Sequence, residues 1–131
     1  MLFTKASEYA LLALIHISNS KTPKDVDSLS NELQISKSFL AKILQLLARD
    51  NLLLSFKGAK GGFMLSKKIE EYTIKEILYS VEKHDISVFE CSHGTCPDGK
   101  NSCYILPMII SLQKKVDDFL ESMTLAEVIN N

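Results

Sequence analysis

Three cysteines, Cys91, Cys96 and Cys103, lie within thirteen residues of a 131-residue chain that has no others. An odd number cannot form a closed disulfide framework within one molecule. Thiolates are soft ligands suited to iron and zinc. Clustered thiols can also oxidise directly to sulfenate or disulfide. The C-x4-C-x6-C spacing lacks the second tight pair of a structural zinc site. The residues therefore suggest a metal or redox site, with an iron–sulfur cluster, a thiol sensor, zinc and inert cysteines all open. His93, between two of the cysteines, His84 and Asp98 are candidates for a further ligand.

A second chemistry lies in the charge. From Ser36 to Lys60, Lys37, Lys42, Arg49, Lys57 and Lys60 stand against Asp50 alone. The last nineteen residues set Lys114 and Lys115 against Asp117, Asp118, Glu121 and Glu127. A net charge of −1 argues against a wholly basic coat protein, but basic charge gathered in one region suits contact with phosphates. With 46% hydrophobic residues the chain can fill one core and disorder is excluded. No apolar run reaches the roughly 18 residues of a membrane span. The apolar start carries Lys5 and Glu8 and lacks a small-residue cleavage motif, so it reads as a buried helix of a cytoplasmic protein. No nucleophile–base pair, Walker loop or paired carboxylates at helical spacing occur, and an enzyme is not expected.

These residues need elements to position them. Residues 4–19 read as a first helix, apolar nearly all round and so buried, in part against a partner subunit; His16 reads as a core or interface histidine. Pro23 falls in the break that follows. Val26 to Leu33 forms a second helix, and Gln34-Ile35-Ser36 a turn. Ser36 caps a third helix. Phe39, Leu40, Ile43, Leu44 and Leu47 face inward there; Lys37, Ser38, Ala41, Lys42, Gln45 and Arg49 face outward. This is the helix-turn-helix pattern. Ser38, Gln45 and Lys42 are the candidates for base edges. Leu52–Phe56 and Phe63–Leu65 flank a Gly- and Lys-rich turn and read as a hairpin, a wing. Lys57 and Lys60 supply charge to it, and Gly58, Gly61 and Gly62 allow a phosphate close to the backbone.

Thr73 and Glu76 form a capping box that opens a fourth helix, and residues 84–106 show no period. Pro107 starts a long helix. Ile105, Ile109, Leu112, Val116, Phe119 and Met123 recur at steps of four and three, a heptad seam suited to pairing between subunits. Thr124 and Glu127 cap a short final helix. The expected fold is mainly α with a small β-hairpin wing. It divides into a winged helix-turn-helix domain over 1–83, a cysteine-containing sensor loop over 84–106, and a dimerisation helix with its cap helix over 107–131.

The order of these motifs resembles the IscR/NsrR family of bacterial winged-helix regulators, the Rrf-two type, over essentially the full length. The resemblance rests on five pieces. They are Phe3, Thr4 and Tyr9 at the start; Ile35, Ser36, Ser38, Phe39 and Leu40 at the recognition helix; Lys57, Gly58, Gly61, Gly62 and Phe63 in the wing; the three cysteines; and Thr124, Leu125, Glu127 and Val128 at the end. It implies a homodimer whose long helices cross and hold two heads over a palindromic operator in double-stranded DNA. It also implies a 2Fe-2S or 4Fe-4S cluster on Cys91, Cys96 and Cys103, labile in air, that tunes operator binding, probing redox poise, iron or nitric oxide. The chain departs from IscR-like members in three places: their C-x5-C-x5-C spacing, their His at the position of Leu106, and their acidic residue at the position of Ala41. In NsrR-like members an acidic residue of the partner's first helix completes the cluster; Glu8 stands there. The implied function is a repressor, with a cluster-free, thiol-oxidation-sensing repressor as the alternative.

Overall fold

A computed structural model describes residues 3–88 and 104–131 of the chain. The order is α1 (Lys5–Ser18), α2 (Val26–Leu33), α3 (Lys37–Arg49), β1 (Leu53–Phe56), β2 (Gly62–Leu65), a 3-10 turn (Ile69–Glu71), α4 (Ile74–Glu82), α5 (Leu106–Ser122) and α6 (Leu125–Asn130). The fold is mainly helical with one antiparallel hairpin, as the sequence pattern implies.

Local chemistry sets the helix boundaries. The side chains of Thr4, Asp25, Ser36, Thr73 and Thr124 each accept an N–H from the first turn of the helix they precede. Such caps satisfy donors that have no partner within the helix, typically worth about 1 kcal/mol each. Both expected capping boxes form, Thr73 with Glu76 and Thr124 with Glu127. The α2–α3 turn closes through Gln34, which is left-handed at φ 57°.

The core is one cluster. Ala10, Ala13, Leu14 and Ile17 of α1, Leu29 of α2, Leu40, Ile43, Leu44 and Leu47 of α3, and Ile77 and Leu78 of α4 meet in it. Leu120 and Leu125 join from the C-terminal helices. Two expectations change here. Phe39 is 39% exposed; it sits on the shoulder of α3, with its ring edge-on to Tyr9 at 5.6 Å. His16 is not in the core. Its side chain is 38% exposed and its Nδ1 lies 3.3 Å from Glu32 Oε2. In both cases helical period alone cannot place a residue at the edge of the apolar face, where the neighbouring helix decides.

The hairpin pairs Leu53 with Leu65 through Phe56 with Gly62. Its second strand also pairs with Lys24: Lys24 N–H donates to Phe63 O at 3.0 Å, and Phe63 N–H to Lys24 O at 2.8 Å. Gly62 makes that approach possible. A Cβ there would lie 2.5 Å from the carbonyl carbon and oxygen of Lys24, and φ is +146°.

Past α4, Gln113 of α5 clamps the chain that leads toward the cysteines. Its Oε1 accepts from Val88 N–H at 2.9 Å, and its Nε2 donates to Ile86 O at 2.7 Å and to Asp117 Oδ1 at 2.9 Å. The expected seam on α5 divides. Val116 and Met123 pack on the chain's own core. Leu112 and Phe119 are exposed at 49% and 55%. Ile105, Met108 and Ile110, nearer the start of the helix, are also exposed.

Gly62→Ala is expected to destabilise the chain by at least about 1–3 kcal/mol, from left-handed strain plus backbone overlap. Urea unfolding midpoints of the two proteins check this.

Candidate nucleic-acid interface

Helix α3 is amphipathic, and its buried face fixes its outer one. With Leu40, Ile43, Leu44 and Leu47 turned into the core, Ser38, Lys42, Gln45 and Arg49 follow one another at steps of four, three and four along the opposite side, all exposed. Residues so spaced share one helical face. Ser38, Lys42 and Gln45 were expected there as base-reading candidates. Arg49, which outward periodicity already marked, completes the stripe as a further candidate contact.

Lys37 differs. Its ammonium is 2.7 Å from Asp27 Oδ1 of α2. A hydrogen bond to Asp27 and its negative charge raise the Lys37 pKa. Both groups are well exposed, so a phosphate can compete for this lysine in water.

The end of α3 is bolted to α4. Asp50, its C-cap, accepts hydrogen bonds from Ser80 Oγ and from Lys83 Nζ, both at 2.7 Å. The Lys83 bond, then the Ser80 bond, holds the Asp50 carboxyl below its usual range. At the same end of α4, between Ser80 and Lys83, Glu82 accepts from Thr4 Oγ1 and from Ser7 Oγ of α1. These pairs join α3, α4 and α1 into one frame.

Lys57 and Lys60 are exposed at the hairpin turn. Gly58, at φ +100°, lets the chain reverse. Gly61 and Gly62 first serve the fold: a Cβ on Gly61 would lie 2.3 Å from Phe56 O, and the Gly61 N–H already donates to Gly58 O at 3.0 Å. The Lys24 pairing was not legible beforehand, because a bridge of one residue leaves no alternation in the sequence.

Cys91, Cys96 and Cys103, with His93 and Asp98, lie outside the described residues. Among the described residues no group of three or more His, Cys, Asp or Glu side chains comes together. Glu8 is exposed and pairs with Lys5 at 3.1 Å. It lies on the rim of an apolar groove of about 550 Å³, lined among others by Phe3, Leu11, Phe119 and Met123. His84, also expected near a metal, is exposed, with Nδ1 3.0 Å from Asp85 O. Among the described residues no helix is long and apolar enough to cross a membrane.

A family model described as Rrf2, iron-dependent transcriptional regulator, matches residues 3–131. The chain is 25% identical to the HTH-type transcriptional regulator IscR of Photorhabdus laumondii, covering all of this chain and 80% of that one. Among solved structures it is similar to CymR, the global cysteine regulator of B. subtilis, with a TM-score of 0.78 at 21% identity over 99% of this chain and 97% of that one. It is also similar to T. potens IscR, with a TM-score of 0.75 at 17% identity over 99% and 87%. At these identities the structural likenesses speak to the fold.

The lowered Asp50 pKa fixes a pH dependence. A depressed carboxylate adds stability above its unfolded pKa, about 3.9, and loses it as pH falls through the lower folded value. Asp50 is about a third exposed, so screening limits the effect to at most about 1 kcal/mol. Asp50→Asn is therefore expected to unfold at lower urea than the parent at neutral pH, with the difference shrinking as pH drops below about 3.9.

Proposed function

The chain belongs to the Rrf2 family of transcriptional regulators, and from that premise we propose that it is a homodimeric, cytoplasmic DNA-binding repressor tuned by its cysteines. The observation that carries the proposal is the exposed Ser38–Lys42–Gln45–Arg49 stripe on α3, with the Lys57–Lys60 hairpin following it in the chain. The three parts have separate duties. Lys37, Lys42, Lys57 and Lys60 neutralise phosphates and release counterions, which gives affinity with little sequence information. Ser38, Gln45 and Lys42 reach base edges and discriminate among sequences. Gly61 and Gly62, packed on Phe56 O and the Lys24 backbone, hold the hairpin turn that carries Lys57 and Lys60 toward a phosphate.

Unburied surface supports the dimer. Ile105, Met108, Ile110, Leu112 and Phe119 expose large apolar area along α5, the kind of surface that marks a protein interface. Paired long helices would place two α3 stripes over the two halves of a palindromic operator. The division into a head over 1–83, a sensor segment over 84–106 and a dimerisation region over 107–131 describes these duties.

The donor set Cys91, Cys96 and Cys103 suits an iron–sulfur cluster, since three thiolates need only one further ligand. The exposed carboxylate of Glu8, on the groove beside α5, is the proposed fourth, donated across the dimer. When bound, such a cluster supplies a redox- and ligand-sensitive centre. The chain's own residues carry the response: Gln113 ties Ile86 and Val88, which lead toward Cys91, to α5. Cluster ligation at the cysteines is thereby linked to the helix that would set the spacing of the two heads. A cluster-free thiol sensor is the second reading. It is supported by the clustered cysteines and by the fold-level likeness to CymR, a global cysteine regulator.

Two experiments test these readings. Lys57→Ala is expected to weaken binding to every duplex and to lower the slope of log affinity against log salt by about one per wing; an unchanged slope counts against the wing. Anaerobically purified protein is expected to hold iron and acid-labile sulfide, both lost in a triple Cys→Ala variant whose operator affinity differs from the parent's. Colourless, iron-free protein whose binding responds to thiol oxidation would support the second reading.

A further inference from the structure

Tyr72 is fully buried and lies outside both the α3 stripe and the hairpin turn, yet its hydroxyl serves the hairpin. It donates to Leu52 O at 2.7 Å and accepts from Ser66 N–H at 3.0 Å. Leu52 immediately precedes β1 and Ser66 immediately follows β2, so one oxygen ties both feet of the wing. The outermost strand pair is Leu53 with Leu65; the tyrosine oxygen adds a cross-link just beyond it. Ser66 Oγ donates to Asn51 O at 2.7 Å, a second tie across the same feet.

Packing alone does not require a tyrosine there. A buried hydroxyl carries a desolvation cost that a phenylalanine avoids, and it is retained where its hydrogen bonds offset that cost. Those bonds run to Leu52, a core residue that leads from α3 into β1, and to Ser66 just after β2. They reach the base of a two-stranded hairpin, a unit that has marginal stability by itself. The angle at which such a hairpin leaves the body depends on its anchors. Lys24 holds one edge through its pairing with Phe63, and Tyr72 holds the feet.

We propose that Tyr72 is a positioning residue for DNA binding, its hydroxyl fixing the angle at which the hairpin presents Lys57 and Lys60 to the duplex backbone. This rests on the wing reading given under Proposed function. It assigns the tyrosine no contact with DNA. It predicts that the hydroxyl matters only through the two lysines.

A mutant cycle isolates that dependence. Affinity for a random-sequence duplex pool is measured across a salt series for four full-length proteins: the parent, Tyr72→Phe, Lys57→Ala with Lys60→Ala, and all three changes together. Tyr72→Phe is expected to weaken binding roughly tenfold and to flatten the salt slope by about one to two. In the background without Lys57 and Lys60 the same change is expected to cause no further loss. An equal loss with and without the lysines, or an unchanged slope in Tyr72→Phe, marks a merely structural tyrosine and overturns the proposal. If removing the lysines leaves the slope unaltered, the wing reading itself fails and the proposal with it. Should Tyr72→Phe not fold, 4-fluorophenylalanine at position 72 enters the same cycle with the same outcomes, since it keeps the ring volume and removes the O–H donor to Leu52 O.

Discussion

One face of α3 holds the molecule together. Leu40, Ile43, Leu44 and Leu47 are buried, and α1, α2, α4 and β1 all pack against the helix that carries them. Burying each such side chain contributes about 1.5–3 kcal/mol, so their joint burial dictates the rotation of the helix about its axis. Turning α3 to hide its outer side would place Lys42 and Arg49 in the core, where unpaired charge is very costly. The exposed polar stripe is thus a consequence of the apolar one. In the proposed function this stripe is the face turned to DNA, and the core itself aims it.

The wing is aimed differently. Its strands bury little: in β1 only Leu53 is buried, and β2 is half-exposed throughout. Its direction comes from Leu53, Phe63 and Leu65, which pack on the core, together with hydrogen bonds at its base and edge made by Tyr72, Ser66 and Lys24. The same economy appears at the ends of the helical frame, where Asp50 joins α3 to α4 and Glu82 joins α4 to α1. Apolar burial fixes where the elements lie, and a few polar pairs fix how their ends meet.

The C-terminal helix has two unlike sides. Its inner side is occupied: Leu120 is buried, and Gln113 and Asp117 bind the segment after α4 and each other. The outer side of its first half is apolar and exposed. The same helix thus holds the approach to the cysteine segment and carries the surface that suits a second subunit. In the proposed function this shared position links sensing to the geometry of the DNA heads.

The sequence by itself determined most of the framework. Caps at Ser36, Thr73 and Thr124 and the apolar periods between them are local signals, and each element they mark is present. The outward set Ser38, Lys42, Gln45 and Arg49 was readable for the same reason: a helix with four buried positions leaves one orientation. What only the tertiary structure decided was contact between distant residues. Phe39 turned out to flank Tyr9, and His16 to meet Glu32 at the surface, because their places depend on which helix lies beside them. The bridge from Lys24 to Phe63, the Tyr72 tie and the Gln113 clamp each involve one or two residues per strand or helix. Single long-range contacts leave no period in a sequence, so folding alone reveals them. The heptad stripe on α5 was legible as apolar, but its division between Val116 and Met123, packed on the core, and Leu112 and Phe119, left exposed, required the position of the rest of the chain.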